Sequence, residues 1–178
     1  MKDQNGNWTP RAKQIVWQKA PYVDANHPEY GKNDPCKACI KEEYDGDRDS
    51  SYGWEIDHII PESKLKDAGV PQVLIDDIDN LRPMHWRNNA QKSDNFPQYG
   101  GCISSVGEAN FEVSRDYQVN RDQINVLRNL YVDYLDIPQP TLLGQWQVMI
   151  DRKNVPTHRI PAVFFDDIIT QSIHDLDD

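Results

Sequence analysis

Cysteine is scarce in this chain: three residues in 178, an odd number that cannot all pair internally. Cys36 and Cys39 form one C-x-x-C and Cys102 stands far from them, so a reducing compartment is expected and a disulfide scaffold is not. No apolar run approaches the roughly 20 residues that span a bilayer, and the start, Met1 to Gly6, lacks the apolar stretch of a secretory signal. The expectation is a cytoplasmic protein with no membrane partner. Also missing are a G-x-S-x-G elbow, a Walker A loop and an H-E-x-x-H pair, and with them the chemistries those motifs serve. Net positive charge is lacking too. Nineteen Lys and Arg face 29 Asp and Glu, a formal charge of -10, which argues against a protein that coats nucleic acid without specificity. The acidic excess falls in residues 36–178.

What is present suits a single domain with a real core. Five Trp, eight Tyr and four Phe give large burial per residue despite an apolar share of 38%. Thr9-Pro10 reads as an N-cap and first helical position, predicting a helix over 8–20. Residues 54–60 read as a short buried strand ended by Pro61, and 80–83 as a second strand. Between them, 62–79 is a connector with a short helix near Val73. A helix is predicted from about Met84 to Ser93, closed by Asn95-Phe96-Pro97. Beyond Gly100-Gly101, residues 111–119 alternate like a strand. Residues 121–136 place Ile124, Leu127, Leu130, Tyr131, Tyr134 and Leu135 on one helical face. Residues 141–150 and 161–173 are further apolar segments of ambiguous type.

The chemistry concentrates in Trp54-Glu55-Ile56-Asp57-His58-Ile59-Ile60-Pro61 and in the stretch from Asn80 to Lys92. His58 follows a carboxylate on an apolar strand, and an imidazole titrates near neutrality, as a general base for water must. Asp57 and Asn89 offer hard oxygen donors, the kind that Mg²⁺ or Mn²⁺ prefers. Lys92, Arg87 and Arg82 are candidate contacts to phosphate, each weighed against a plain solvated charge.

This order of residues, from Trp54 to Lys92, resembles the HNH endonuclease family, the ββα-metal nucleases. The resemblance implies an α+β fold: two short antiparallel strands and a helix around one divalent ion, set in a mainly helical envelope. It implies His58 as general base, Asn80 as the brace that orients the imidazole, and Asp57 with Asn89 as metal ligands. It implies a metal-dependent endonuclease acting on double-stranded DNA, leaving 5′-phosphate and 3′-hydroxyl ends. Many members also carry two C-x-x-C pairs around a structural zinc. Here Cys36 and Cys39 supply one pair, but the second would fall at His85 and Asn88, and asparagine is a poor zinc ligand. A degenerate zinc site is therefore expected. The expected organisation is a nuclease domain over 1–100 and a mainly helical extension over 101–178, packed on it. The rival reading is an HNH-fold interaction module that no longer cuts. The acidic balance motivates it, and in either reading a protein partner would offset that charge.

Overall fold

The computed structural model of the chain describes residues 1–138. Helix α1, Pro10–Gln18, starts as the sequence predicts: the Thr9 side chain accepts from the Ala12 N–H at 3.2 Å and Pro10 opens the first turn. Ala12, Val16 and Trp17 form its buried stripe. Val16 and Trp17 meet Ile40, Trp54 and Leu81 in one core cluster, where the Trp17 and Trp54 rings lie 5.1 Å apart.

Two very short strands, β1 (Lys32–Asn33) and β2 (Cys39–Ile40), pair antiparallel around the C-x-x-C turn. Strand β3, Trp54–His58, pairs antiparallel with β4, Leu81–His85, in a register that sets Asp57 opposite Arg82 and His58 opposite Leu81. The connector between them carries α2 (Glu62–Asp67) and α3 (Gln72–Ile75), each opened by a proline. Strand β4 passes without a loop into α4, Trp86–Lys92, whose first turn is capped by the His85 ring accepting from the Arg87 N–H at 3.2 Å. The order strand, strand, helix is as expected, and the chain is α+β.

Past α4 the described residues begin with two strands, the second covering the alternation read over 111–119. Strands β5 (Gln98–Val106) and β6 (Ala109–Gln118) form a long antiparallel hairpin that packs on α4, and Gly100-Gly101 lies inside β5 rather than at a boundary. The glycine at 101 serves a close approach. A Cβ there would meet the Tyr117 ring at 2.6 Å and Cys36 Sγ at 2.9 Å, well inside van der Waals contact. Register shifts between Gly101 and Ile103, and the side chain of Asn88 fills that irregularity.

Helix α5, Arg121–Leu130, is capped by Asn120, which accepts from the Gln123 N–H at 2.8 Å. Ile124, Leu127 and the following Tyr131 enter the second core cluster with Ile59, Ile60, Leu65, Ile75 and Met84. Leu130 and Leu135 pack at its margin, whereas Tyr134, expected on the same face, is exposed. No helix among the described residues is long and apolar enough to cross a membrane. The apolar segments at 141–150 and 161–173 lie outside the described residues.

Candidate active site

Alternation along β3 sends its polar residues two ways. Glu55 and Asp57 face α4, where Asn89 Nδ2 donates to Glu55 Oε2 at 3.1 Å and Lys92 Nζ donates to Asp57 Oδ1 at 2.9 Å. Asn89 and Lys92 are three residues apart and share a helical face, so one face of α4 meets two alternate positions of the strand. His58 points to the other side, with its ring 5.7 Å from Trp8 and its Nε2 2.9 Å from Asp76 Oδ1.

Asp57 is buried, and both its oxygens are engaged. Beyond the bond from Lys92, Arg82 Nε donates to its Oδ2 at 2.8 Å. Lys92 is 1% exposed and also donates to the His58 carbonyl at 2.9 Å. Arg82 is 9% exposed, donates to Tyr99 Oη at 3.2 Å, and lies over the Tyr99 ring at 4.9 Å. Burial pulls the Lys92 ammonium below its ordinary value, with Asp57 acting the other way. For Arg82, burial is outweighed by Asp57 and Tyr99, which hold the guanidinium above its ordinary range. One carboxylate thus holds two cations in the interior, a site whose charges are mutually required. Lys92 and Arg82, expected at phosphate, are committed to the protein interior. Arg87 is the least buried of the three, and it pairs with Glu112 at 2.8 Å.

On the far side of β3, His58 sits in a partly buried polar cluster. Asp76, at the end of α3, accepts from His58 Nε2 and from Lys2 Nζ (3.0 Å) on Oδ1, and from Gln72 Nε2 (3.1 Å) on Oδ2. Burial by itself would raise the Asp76 carboxyl, but these three donors outweigh it and bring it below the ordinary 3.8. The N-terminal segment completes the cluster. Lys2 pairs with Trp8 across an isolated bridge, and its ammonium lies 4.5 Å from the Trp8 ring centre.

Asn80 is fully buried and its amide braces the chain just after His58. Its Oδ1 accepts from the Ile60 N–H at 2.9 Å, and its Nδ2 donates to the carbonyls of Ile60 and Ile75, both at 3.2 Å. It acts on the backbone two residues past the imidazole, while Asp76 is the side chain that touches the ring. Asp76, Gln72, Lys2 and Trp8 were not among the residues singled out from sequence. Asp76 lies in an acidic connector, and no spacing rule distinguishes it there from Asp77 or Asp79.

Where the resemblance places a structural zinc, the structure has a carboxylate at the centre instead. Asp34 is 2% exposed. Its Oδ1 accepts from the Cys36 and Ala38 N–H groups, both at 2.8 Å. Its Oδ2 accepts from the His85 N–H at 3.2 Å and from Asn88 Nδ2 at 2.9 Å. It therefore ties the C-x-x-C turn to the start of α4. The named zinc ligands are otherwise engaged. Cys39 donates to the Tyr30 carbonyl at 3.2 Å, and His85 uses Nδ1 for the Arg87 N–H and Nε2 for the Ser51 carbonyl. This donor set does not fit a tetrahedral zinc.

The divalent ion implied at Asp57 and Asn89 meets a similar obstacle. A dication beside Asp57 would face two cations against one carboxylate, and it would have to displace Lys92 or Arg82 from a buried bond. As the side chains stand, Asp57 does not fit a divalent ion. Among the described residues no cluster of three or more His, Cys, Asp or Glu side chains has the geometry of a metal site. What the arrangement offers chemically is a partly exposed imidazole with a carboxylate behind it, mounted on a strand whose opposite face is locked to a helix. Comparison with protein-family models, with curated proteins and with solved structures finds no match to this chain.

Proposed function

We propose that the chain is a nuclease of the HNH kind, hydrolysing phosphodiester bonds in nucleic acid, with DNA as the substrate and His58 as general base. One observation carries this reading. His58 closes β3 with its side chain 13% exposed and a carboxylate hydrogen-bonded to its Nε2. A carboxylate held on one ring nitrogen leaves the other nitrogen free to accept a proton from water. The order Asp57, His58, Asn80, Asn89, Lys92 along the chain supports the same reading through the resemblance. Water deprotonated by His58 attacks phosphorus in line with the P–O3′ bond; that bond breaks and the departing 3′ oxygen takes a proton from solvent, leaving 5′-phosphate and 3′-hydroxyl ends. Mg²⁺ or Mn²⁺, which the resemblance implies, enters no step of this proposal because of the partners Asp57 already has. The acidic balance of the chain calls for a protein partner or a local basic contact to hold the substrate.

A second reading, an interaction module that keeps the strand–strand–helix frame without cutting, is favoured by one specific observation: Asp57 is neutralised by Arg82 and Lys92. A plasmid-nicking assay separates the two. Supercoiled DNA is incubated with wild type and His58→Ala, with Mg²⁺, with Mn²⁺ and with a chelator. The nuclease reading expects nicking that falls about 10²- to 10⁴-fold in the variant, the usual worth of a general base. Wild-type protein that leaves the plasmid intact under every condition would overturn the nuclease reading and support the module.

A further inference from the structure

Resting on the nuclease reading, the geometry points to Asp76 as a positioning residue that fixes the tautomer of His58, so that Nδ1 is the atom that takes the proton from water.

Three observations support this. First, Asp76 faces His58 at hydrogen-bond distance, 2.9 Å from Nε2 to Oδ1, with both side chains only 10–13% exposed. Second, the carboxylate is held from both sides. Gln72 Nε2 donates to Oδ2 at 3.1 Å and Lys2 Nζ to Oδ1 at 3.0 Å, so the acceptor cannot swing away without breaking two further bonds. Three donors converge on this group, and an ionised carboxylate is an acceptor only. In the neutral imidazole the shared hydrogen must therefore reside on Nε2, leaving Nδ1 with a lone pair. Third, Nδ1 has no hydrogen-bond partner among the described residues, and it is not among the buried polar atoms left unsatisfied. The atom that must meet water is the one the fold leaves open.

The proton balance follows from the tautomer. Water gives a proton to Nδ1 as its oxygen bonds to phosphorus, and the resulting imidazolium keeps its Nε2–H on Asp76. Asp76 itself takes up no proton. Its role resembles that of carboxylates which orient an imidazole and stabilise its charged form in other hydrolases. It reaches the reaction only through His58. Asn80 supports the same segment through the backbone of Ile60, so ring orientation and strand position have separate keepers.

The test reads the ring itself. Nitrogen-15 NMR of the wild-type protein, with the imidazoles neutral, should show a pyridine-like Nδ1 and a pyrrole-like Nε2 for His58. Asp76→Ala should lose this preference, giving averaged shifts. Asp76→Asn should retain it, because an amide oxygen can take the place of Oδ1 beneath both His58 and Lys2. In nicking assays Asp76→Ala should lower kcat by about 10- to 100-fold with little change in KM, the scale of lost support to a functional group. A wild-type spectrum with the hydrogen on Nδ1 would overturn the inference, and that measurement needs no variant to fold. So would an Asp76→Ala protein whose His58 shifts are unchanged. A wild-type protein with the expected tautomer and no cleavage would leave the positioning intact and sink the nuclease reading instead.

Discussion

The Asp34 carboxylate and the Asn88 amide lie 2.9 Å apart, and that one bond joins the C-x-x-C turn to the first turn of α4. Every polar atom of Asn88 is used. Nδ2 also donates to the Ile103 carbonyl at 2.9 Å, while Oδ1 accepts from the N–H groups of Cys102 (2.9 Å) and Ile103 (2.8 Å). Asn88→Ala takes a partner from two N–H groups, a carbonyl and a carboxylate oxygen, all but the Cys102 N–H in buried surroundings. A loss of about 3–5 kcal/mol in urea unfolding is expected, from roughly 1–3 kcal/mol for each unsatisfied buried group with partial relaxation. A variant within 1 kcal/mol of wild type would mean that water fills the gap.

The Asp57 cluster makes a coupled prediction. Lys92→Ala removes one of two cations from a buried carboxylate and should cost about 3–5 kcal/mol. Asp57→Ala leaves Arg82 and Lys92 facing each other and should cost at least as much. The double variant should fall well short of the sum, since the second change removes a charge the first had stranded. Strict additivity in denaturant melts would show the three groups to be independent.

Acid stability should carry two opposing signatures. Asp76 titrates below the ordinary 3.8 in the folded protein, so its contribution is present above that value and is lost as pH falls through the lower folded pKa. Asp34 behaves the other way. Burial outweighs its four hydrogen bonds and pushes it up to about 6, so the folded protein binds a proton that the unfolded chain does not. Its share of stability is full below 3.8 and is lost as pH rises towards 6. Urea midpoints of Asp76→Ala across pH should show a shallower fall in acid than wild type. Those of Asp34→Ala should lose the decline between 3.8 and 6.

Thiol chemistry should resolve the cysteines in order of burial. Cys36 and Cys39 are fully buried, and burial raises both thiols, Cys39 to about 11, which starves them of reactive thiolate. Cys102 is partly exposed. An aromatic disulfide reagent should therefore label one thiol promptly in the native protein and all three after denaturation. Prompt labelling of two would show that the C-x-x-C turn opens readily.

Much of the frame was legible in the sequence because it depends on short-range signals. Thr9-Pro10 starts α1 by capping chemistry, and the apolar spacing of Ile124 and Leu127 announces α5; the strand read over 54–60 ends sooner, at His58, and Pro61 opens α2 instead. Strand β5 was missed because Gly100-Gly101 read as punctuation. Those glycines are in fact set by what they pack against, Gln91 and Tyr117, and their sequence neighbours say nothing of it. The candidate site divides the same way. His58 and Asn80 could be singled out by order along the chain, and Asn80 is found bracing the segment just after His58. Partner choice was not legible. Whether Asp57 meets a cation from solvent or the ammonium of Lys92, 35 residues on, is decided by how α4 lies across β3. Asp34 is a similar case. Nothing in an Asn-Asp-Pro turn reveals that the carboxylate will reach residues 85 and 88.

Lys92 holds the Asp57 carboxylate and the His58 peptide oxygen with one ammonium, so neighbouring positions on the strand share a tether to the end of α4. That helix stops at once, with Ser93 turned to a positive φ of 47°. A stiffer or bulkier residue at 93 would tug on the tether and shift the imidazole from the far side of the sheet. Screens for altered behaviour of His58 should therefore include Ser93, which shares no hydrogen bond with it.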